Sequence, residues 1–142
     1  MSAITRTDSP RLVVRNLGVS FPSEDGLVRA VADVSFEIQP GQTTALVGES
    51  GSGKSVTSLA LMRLLPKTAN AQVSGTARFN TRDGRALDLL ALNDRDARLL
   101  RGDQLAMIFQ EPMTSLNPVI SVGEQIAESV RLHQQVDRSA AR

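Results

Sequence analysis

Apolar positions fall into short runs whose period changes along the chain, and each change marks an element. Residues 11–21 alternate weakly and are rich in Leu and Val, which predicts one or two short strands. Residues 22–26 (PSEDG) cluster turn formers. Residues 27–38 then place Val28, Val31, Val34, Phe36 and Ile38 in a further strand. Strands joined by a polar turn predict an antiparallel sheet at the start. Gln39-Pro40-Gly41-Gln42 breaks the run. Residues 43–47 (TTALV) form a short apolar run expected as a buried strand. Residues 56–65, apolar nearly all round with Pro66 just beyond, are expected as a buried helix. A buried strand leading into a buried helix is the α/β pattern.

Residues 71–80 and 86–92 predict further short strands, 94–101 a short polar helix with acids at its N-terminus, and 105–109 (LAMIF) a second buried strand. Residues 112–118 are irregular. Ser121 opens a helix, with Glu124 three residues on completing a capping box. Val122, Ile126 and Val130 give that helix one apolar stripe. Asp137 begins what reads as another helix, and a chain that stops at a helix start reads as cut short.

Composition adds mainly exclusions. The 142 residues suit one domain or part of one, and 41% hydrophobic with 22% charged residues is a globular balance. A net charge of +1 and 3% aromatics argue against nucleic acid as a partner. Cysteine is absent, which removes disulfides and thiolate metal sites. No apolar run approaches the roughly 18 residues of a membrane helix, and residues 1–10 read as a polar, disordered lead without a signal-peptide core. Membrane association is therefore expected through a partner protein.

The chemistry concentrates in Gly48-Glu49-Ser50-Gly51-Ser52-Gly53-Lys54-Ser55, which fits G-x-x-x-x-G-K-[ST] at every required position. A polyphosphate needs many donors close together, and glycines let the backbone wrap tightly enough to supply them. The N–H groups from Ser50 through Ser52 to Ser55 and Val56 can point at the β-phosphate, with a helix starting near Gly53 adding its positive end. Lys54 would set a cation between β- and γ-phosphates, and the Ser55 hydroxyl would ligate Mg²⁺. The expected ligands are ATP and Mg²⁺.

Other residues stay open on local pattern alone. Gln110 leaves the 105–109 run, and its amide could reach a γ-phosphate, Mg²⁺ or water, or be a solvated loop amide. The Phe21 ring could stack on adenine or pack in the core. Asp88 and Asp94 belong to a charged, solvated face rather than a metal site. His133 is a surface histidine. A P-loop kinase or GTPase would need an acceptor site or an N/T-K-x-D motif, and neither is present.

The order of these parts resembles ABC transporter ATPases. The stretches GESGSGKSVTSLALMRLLP and AMIFQEPMTSLNPVISVGEQIAESVRLHQ are similar to the dipeptide/oligopeptide importer branch, and the likeness covers residues 12–135. It implies an α/β P-loop NTPase core of ABC type with an antiparallel β subdomain, truncated before the signature motif and the Walker B strand. It divides the chain into the lead at 1–10, an ATPase core at 11–111 and the start of a helical subdomain at 112–142. By the same likeness Gln110 is a Q-loop glutamine acting on Mg²⁺ and the γ-phosphate, catalytic together with Lys54, and Phe21 stacks on adenine, where the family more often carries Tyr. Residues 111–118 and the helix after 121 would face membrane permease subunits. Met113 and Leu116 would meet that apolar partner or pack on their own helix. A second cassette and, indirectly, a periplasmic solute-binding protein complete the implied partners. The implied function is ATP-driven import of peptide-like solutes, glutathione among them, at the cytoplasmic face of the inner membrane. The signature motif, Walker B aspartate, catalytic glutamate and switch histidine are missing from these residues. The chain alone is therefore expected to bind nucleotide weakly, to hydrolyse little, and to show poor solubility or C-terminal disorder.

Overall fold

The computed structural model describes residues 9–109, 116–134 and 136–141. The chain divides into two compact units, Met1–Ala97 and Arg98–Arg142. In the first, β1 (Leu12–Ser23) and β2 (Gly26–Ile38) make the expected hairpin. With β3 (Gln72–Asn80) and β4 (Ala86–Asp88), which ends four residues short of the expected 92, they form an antiparallel sheet of order β2-β1-β3-β4. Alternation along β1 is weak in sequence because the strand changes phase midway. Leu12 and Val14 are buried, and so are Leu17 and Val19. Between Val14 and Leu17, β1 sets two residues against the single Ser35 of β2, a bulge that keeps both halves facing the core. Asn16 takes φ 50° there and its side-chain amide donates to Asp33, itself at φ 53°. On β3, Gly75 lies at φ 93°, and a Cβ on it would stand 2.5 Å from the carbonyl oxygens of Arg15 and Asn16, so the bulge requires glycine.

The first unit buries Leu12, Val14, Leu17, Val19, Val31, Ala77, Phe79 and Leu89. Leu17 is fully buried, so Leu17→Ala is expected to lower unfolding free energy by about 2–4 kcal/mol in chemical denaturation.

Helix α1 (Lys54–Leu61) follows the glycine-rich loop but ends four residues short of the predicted 65. Arg63 adopts φ 55° and closes the helix, with its N–H donating to Ala60 O and that of Leu64 to Leu59 O at 2.8 Å. A left-handed terminator that is neither Gly nor Asn leaves no sequence signal. Only Thr57 and Ala60 of α1 are buried.

Two expected strands are corrected. Residues 43–47 form no ladder, and Val47 is 88% exposed. Residues 105–109 make only the single bridge Arg101–Leu105, with Ile108 93% exposed. A strand exists by exchanging hydrogen bonds with neighbours, and beyond the Arg101–Leu105 bridge no described residue pairs with either run. The apolar pattern reports an appetite for burial that the described residues do not satisfy.

Helix α2 (Asp94–Leu100) lies across the division between units and is capped by Asn93, whose Oδ1 accepts the Asp96 N–H at 2.9 Å. In the second unit α3 (Val122–Gln134) begins as expected, with Ser121 Oγ accepting the Glu124 N–H at 3.3 Å. The Glu124 carboxylate accepts from Arg138 at 3.0 Å. Among its residues Ala127 is buried, whereas Val122 and Ile126 of the apolar stripe are exposed. Asp137 starts one turn rather than a helix: its carboxylate accepts the N–H groups of Ser139 and Ala140.

Candidate nucleotide-binding site

Between residues 48 and 55 the backbone folds back on itself. Gly51 (φ 80°) and Gly53 (φ 87°) take left-handed conformations, and the Ser52 N–H donates to Glu49 O at 3.2 Å. Lys54 opens α1 and turns its side chain into the loop. Its Nζ donates to Gly48 O at 2.8 Å, Glu49 O at 2.6 Å and Ser52 Oγ at 3.1 Å. The ammonium thus sits at the loop's centre, held by oxygens alone. The first N–H groups of α1, on Gly53, Lys54, Ser55 and Val56, have no partner within the helix by geometry. No side chain caps Gly53 and no acid lies in the first turn. These donors, the positive end of α1 and one cation converge on a concave loop, an arrangement suited to an anion. Ser50 and Ser55 are exposed beside it.

The loop is seated by the hairpin. Val19 pairs with Val31 and Ser20 with Arg29, so Ala30 is an extra, unpaired residue of β2. Its carbonyl oxygen approaches Gly53 so closely that a Cβ there would lie 2.4 Å away, with Val31 Cγ2 at 3.1 Å. Gly53 is therefore needed twice, for its backbone conformation and for this approach. Local sequence pattern gave no sign of the Ala30 contact, because it joins residues 23 apart through a bulge. Phe21, half-buried, pairs with Val28, two residues along β2 from Ala30, or about 7 Å of strand. The hairpin thus brings Phe21 into the neighbourhood of the loop.

Gln110 and residues 111–115, Met113 included, lie outside the described residues. Leu116 is exposed. His133 is exposed on α3, its ring against Gly102. Asp88 is taken up structurally, its Oδ1 accepting from the Ala77 and Leu90 N–H groups. Asp94 pairs with Lys67 at 2.6 Å. Among the described residues no three His, Asp or Glu side chains group as metal ligands.

A protein-family model described as ABC transporter matches residues 31–142. The chain belongs to the ABC transporter family. Glutathione import ATP-binding protein GsiA of Pectobacterium atrosepticum is 58% identical over 129 residues, covering 91% of this chain and 21% of that protein. The GsiA of Escherichia coli K12 is 50% identical over 130 residues, covering 92% and 21%. The chain thus spans about one fifth of the length of the curated relatives it matches. Among solved structures, the ATP-binding cassette MJ0796, dimeric in a post-hydrolysis state bound to ADP and Pi, superposes with a TM-score of 0.72 at 18% identity, covering 92% of this chain and 53% of that one. A second dimeric structure of MJ0796, a bacterial ABC transporter cassette, gives 0.67 at 20% identity, over 84% and 46%. The fold is that of an ABC ATPase cassette: an antiparallel β subdomain joined to a P-loop and its helix.

Proposed function

We propose that residues 48–55 bind the phosphates of Mg²⁺·ATP, and that the whole protein is the ATP-hydrolysing subunit of an importer for peptide-like solutes, glutathione first among them. The observation that carries the nucleotide reading is the Lys54 ammonium held inside a loop of left-handed glycines at the uncapped start of α1. Bound Mg²⁺·ATP would supply a phosphoanhydride whose charge the loop neutralises. Backbone N–H groups from Ser50 to Val56 would hold the β-phosphate, with Gly48, Gly51 and Gly53 shaping the loop. Lys54 would leave the Gly48 and Glu49 carbonyls for the β/γ-oxygens, and Ser55 would ligate the metal. Phe21 would stack on adenine. Gln110 would act on Mg²⁺ and the γ-phosphate.

The solute rests on the likeness to glutathione import ATP-binding proteins, and the permease contact on exposure. Val122 and Ile126 of α3, with Leu116, present apolar side chains to solvent, which suits residues 111–118 and α3 to contact with permease subunits. A second cassette would complete the working assembly, and a periplasmic solute-binding protein would act on it indirectly. No helix among the described residues is long and apolar enough to cross a membrane. The location we propose, peripheral at the cytoplasmic face of the inner membrane, rests on the likeness to the import ATP-binding proteins.

Titrating the chain with ATP tests the metal role. Mg²⁺ is expected to tighten binding to the parent, and Ser55→Ala to reduce affinity in Mg²⁺ toward the metal-free value. Equal Mg²⁺ enhancement in both would remove Ser55 from the site. For import, cells carrying the whole protein are expected to take up labelled glutathione and to lose that uptake with Lys54→Ala. Uptake unchanged by the variant would contradict the coupling.

A further inference from the structure

Far from the glycine-rich loop, at the opposite end of β1, a cavity of about 520 Å³ opens on the outer face of the sheet. Arg11 precedes Leu12 at one end of β1, whereas the loop sits against Ala30 beside Val19 and Ser20, about 25 Å along the strand. Three arginines line it: Arg11 before β1, Arg78 on β3 opposite Val13, and Arg82 in the turn after β3. Among the described lining residues the apolar ones are Pro10, Val13 and Pro40, and none is aromatic. The cavity wall is pre-ordered: Arg11 Nη1 donates to Asn80 O at 2.7 Å, and Asn80 Nδ2 donates to Pro10 O at 2.7 Å. That bond uses one of the five donors on Arg11. Two described carboxylates nearby are engaged with other residues. Glu37 accepts from Arg15, and Asp83 accepts from Thr81 and from Arg85 at 2.8 Å. The Thr81 hydroxyl holds the Asp83 carboxyl below its ordinary value, so it stays ionised and committed to its own turn.

We infer that this arginine-lined cavity is a second anion site, which takes a phosphate-monoester group with a small organic part. Guanidinium forks match phosphate oxygens bidentately, and several of them favour a dianion over a single carboxylate. The volume falls within the ordinary range for small-ligand sites. A soluble phosphorylated metabolite and the monoester headgroup of a phosphatidic acid surface both present this chemistry.

The test is residue-resolved. The full ¹⁵N-labelled chain is titrated with inorganic phosphate, and separately with phosphatidylcholine vesicles with and without phosphatidic acid, while backbone amides are followed. Phosphate is expected to shift amides of residues 78–84 as a saturable set, apart from any response at 48–56. Arg78→Gln, an exposed substitution, should weaken the 78–84 response about tenfold and leave the 48–56 response unchanged, while Arg78→Lys keeps part of it. Saturation by free phosphate identifies a soluble ligand. A response confined to the phosphatidic acid vesicles and lost in Arg78→Gln identifies a headgroup. No response at 78–84 to either probe, or identical titrations for parent and Arg78→Gln, overturns the proposal without touching the ATP reading.

Discussion

Lys54→Ala is expected to weaken ATP binding by about 10- to 100-fold while leaving the fold intact. The estimate follows from the interaction lost: a charge-assisted hydrogen bond contributes about 1.5–3 kcal/mol, and Lys54 is the one cation whose ammonium the described loop holds at its centre. Without nucleotide the ammonium satisfies two backbone carbonyls and a hydroxyl. These groups are exposed in the loop and can turn to water, so the substitution should cost little stability. Isothermal titration of parent and variant, with circular dichroism melts alongside, separates the two effects. Equal affinities would show that the loop does not use Lys54 for phosphate.

Gly53→Ala is expected to cost both stability and nucleotide binding, and comparison with other glycines shows why. A left-handed backbone costs a non-glycine residue about 1–2 kcal/mol. Gly51 shares that conformation, at φ 80°, but a Cβ on it would meet nothing within 4 Å. Gly51→Ala should therefore lose about that amount and no more. At Gly53 the new Cβ would also lie 2.4 Å from the Ala30 carbonyl oxygen, a backbone atom that cannot swing aside. The start of α1 must then lift off β2, carrying the Lys54, Ser55 and Val56 amides with it. A loss of more than about 2 kcal/mol in urea denaturation is expected, together with ATP affinity too weak to saturate. Gly75→Ala is the control. Its clash with Arg15 and Asn16 carbonyls is as severe, but it lies in the β1 bulge, so stability should fall while the loop amides keep their response to nucleotide. Gly53→Ala binding ATP like the parent would mean that the seat on β2 has no part in the site.

How far the sequence foretold this arrangement depends on how local each cause is. The hairpin, the strand at 72–80, the start of the strand at 86, the helix start at Lys54 and the Ser121 cap were legible because turn residues, alternation and capping chemistry act within a few positions. The site motif was legible for the same reason: its glycines and Lys54 are contiguous. What escaped notice was set by partners distant in sequence. The Asn16–Asp33 pair of left-handed residues, the approach of Ala30 to Gly53, and the closing turn at Arg63 each depend on backbone from elsewhere or on a residue type that does not usually mark the feature. Residues 43–47 and 105–109 show the converse. Their composition demands burial in a sheet, but a ladder needs a second strand, and composition alone cannot provide one. The same limit applies to α3, where periodicity found the stripe of Val122 and Ile126 but could not say whether anything covers it.

The central claim is that backbone N–H groups and one ammonium between residues 48 and 55 hold a triphosphate. Amide chemical shifts of the ¹⁵N-labelled chain, followed during titration with Mg²⁺·ATP, test it most directly. The account predicts saturable shifts concentrated at Ser50 to Val56, with a smaller set around Phe21 and Val28. Saturation with shifts centred elsewhere, or none at 50–56 at millimolar nucleotide, would contradict it.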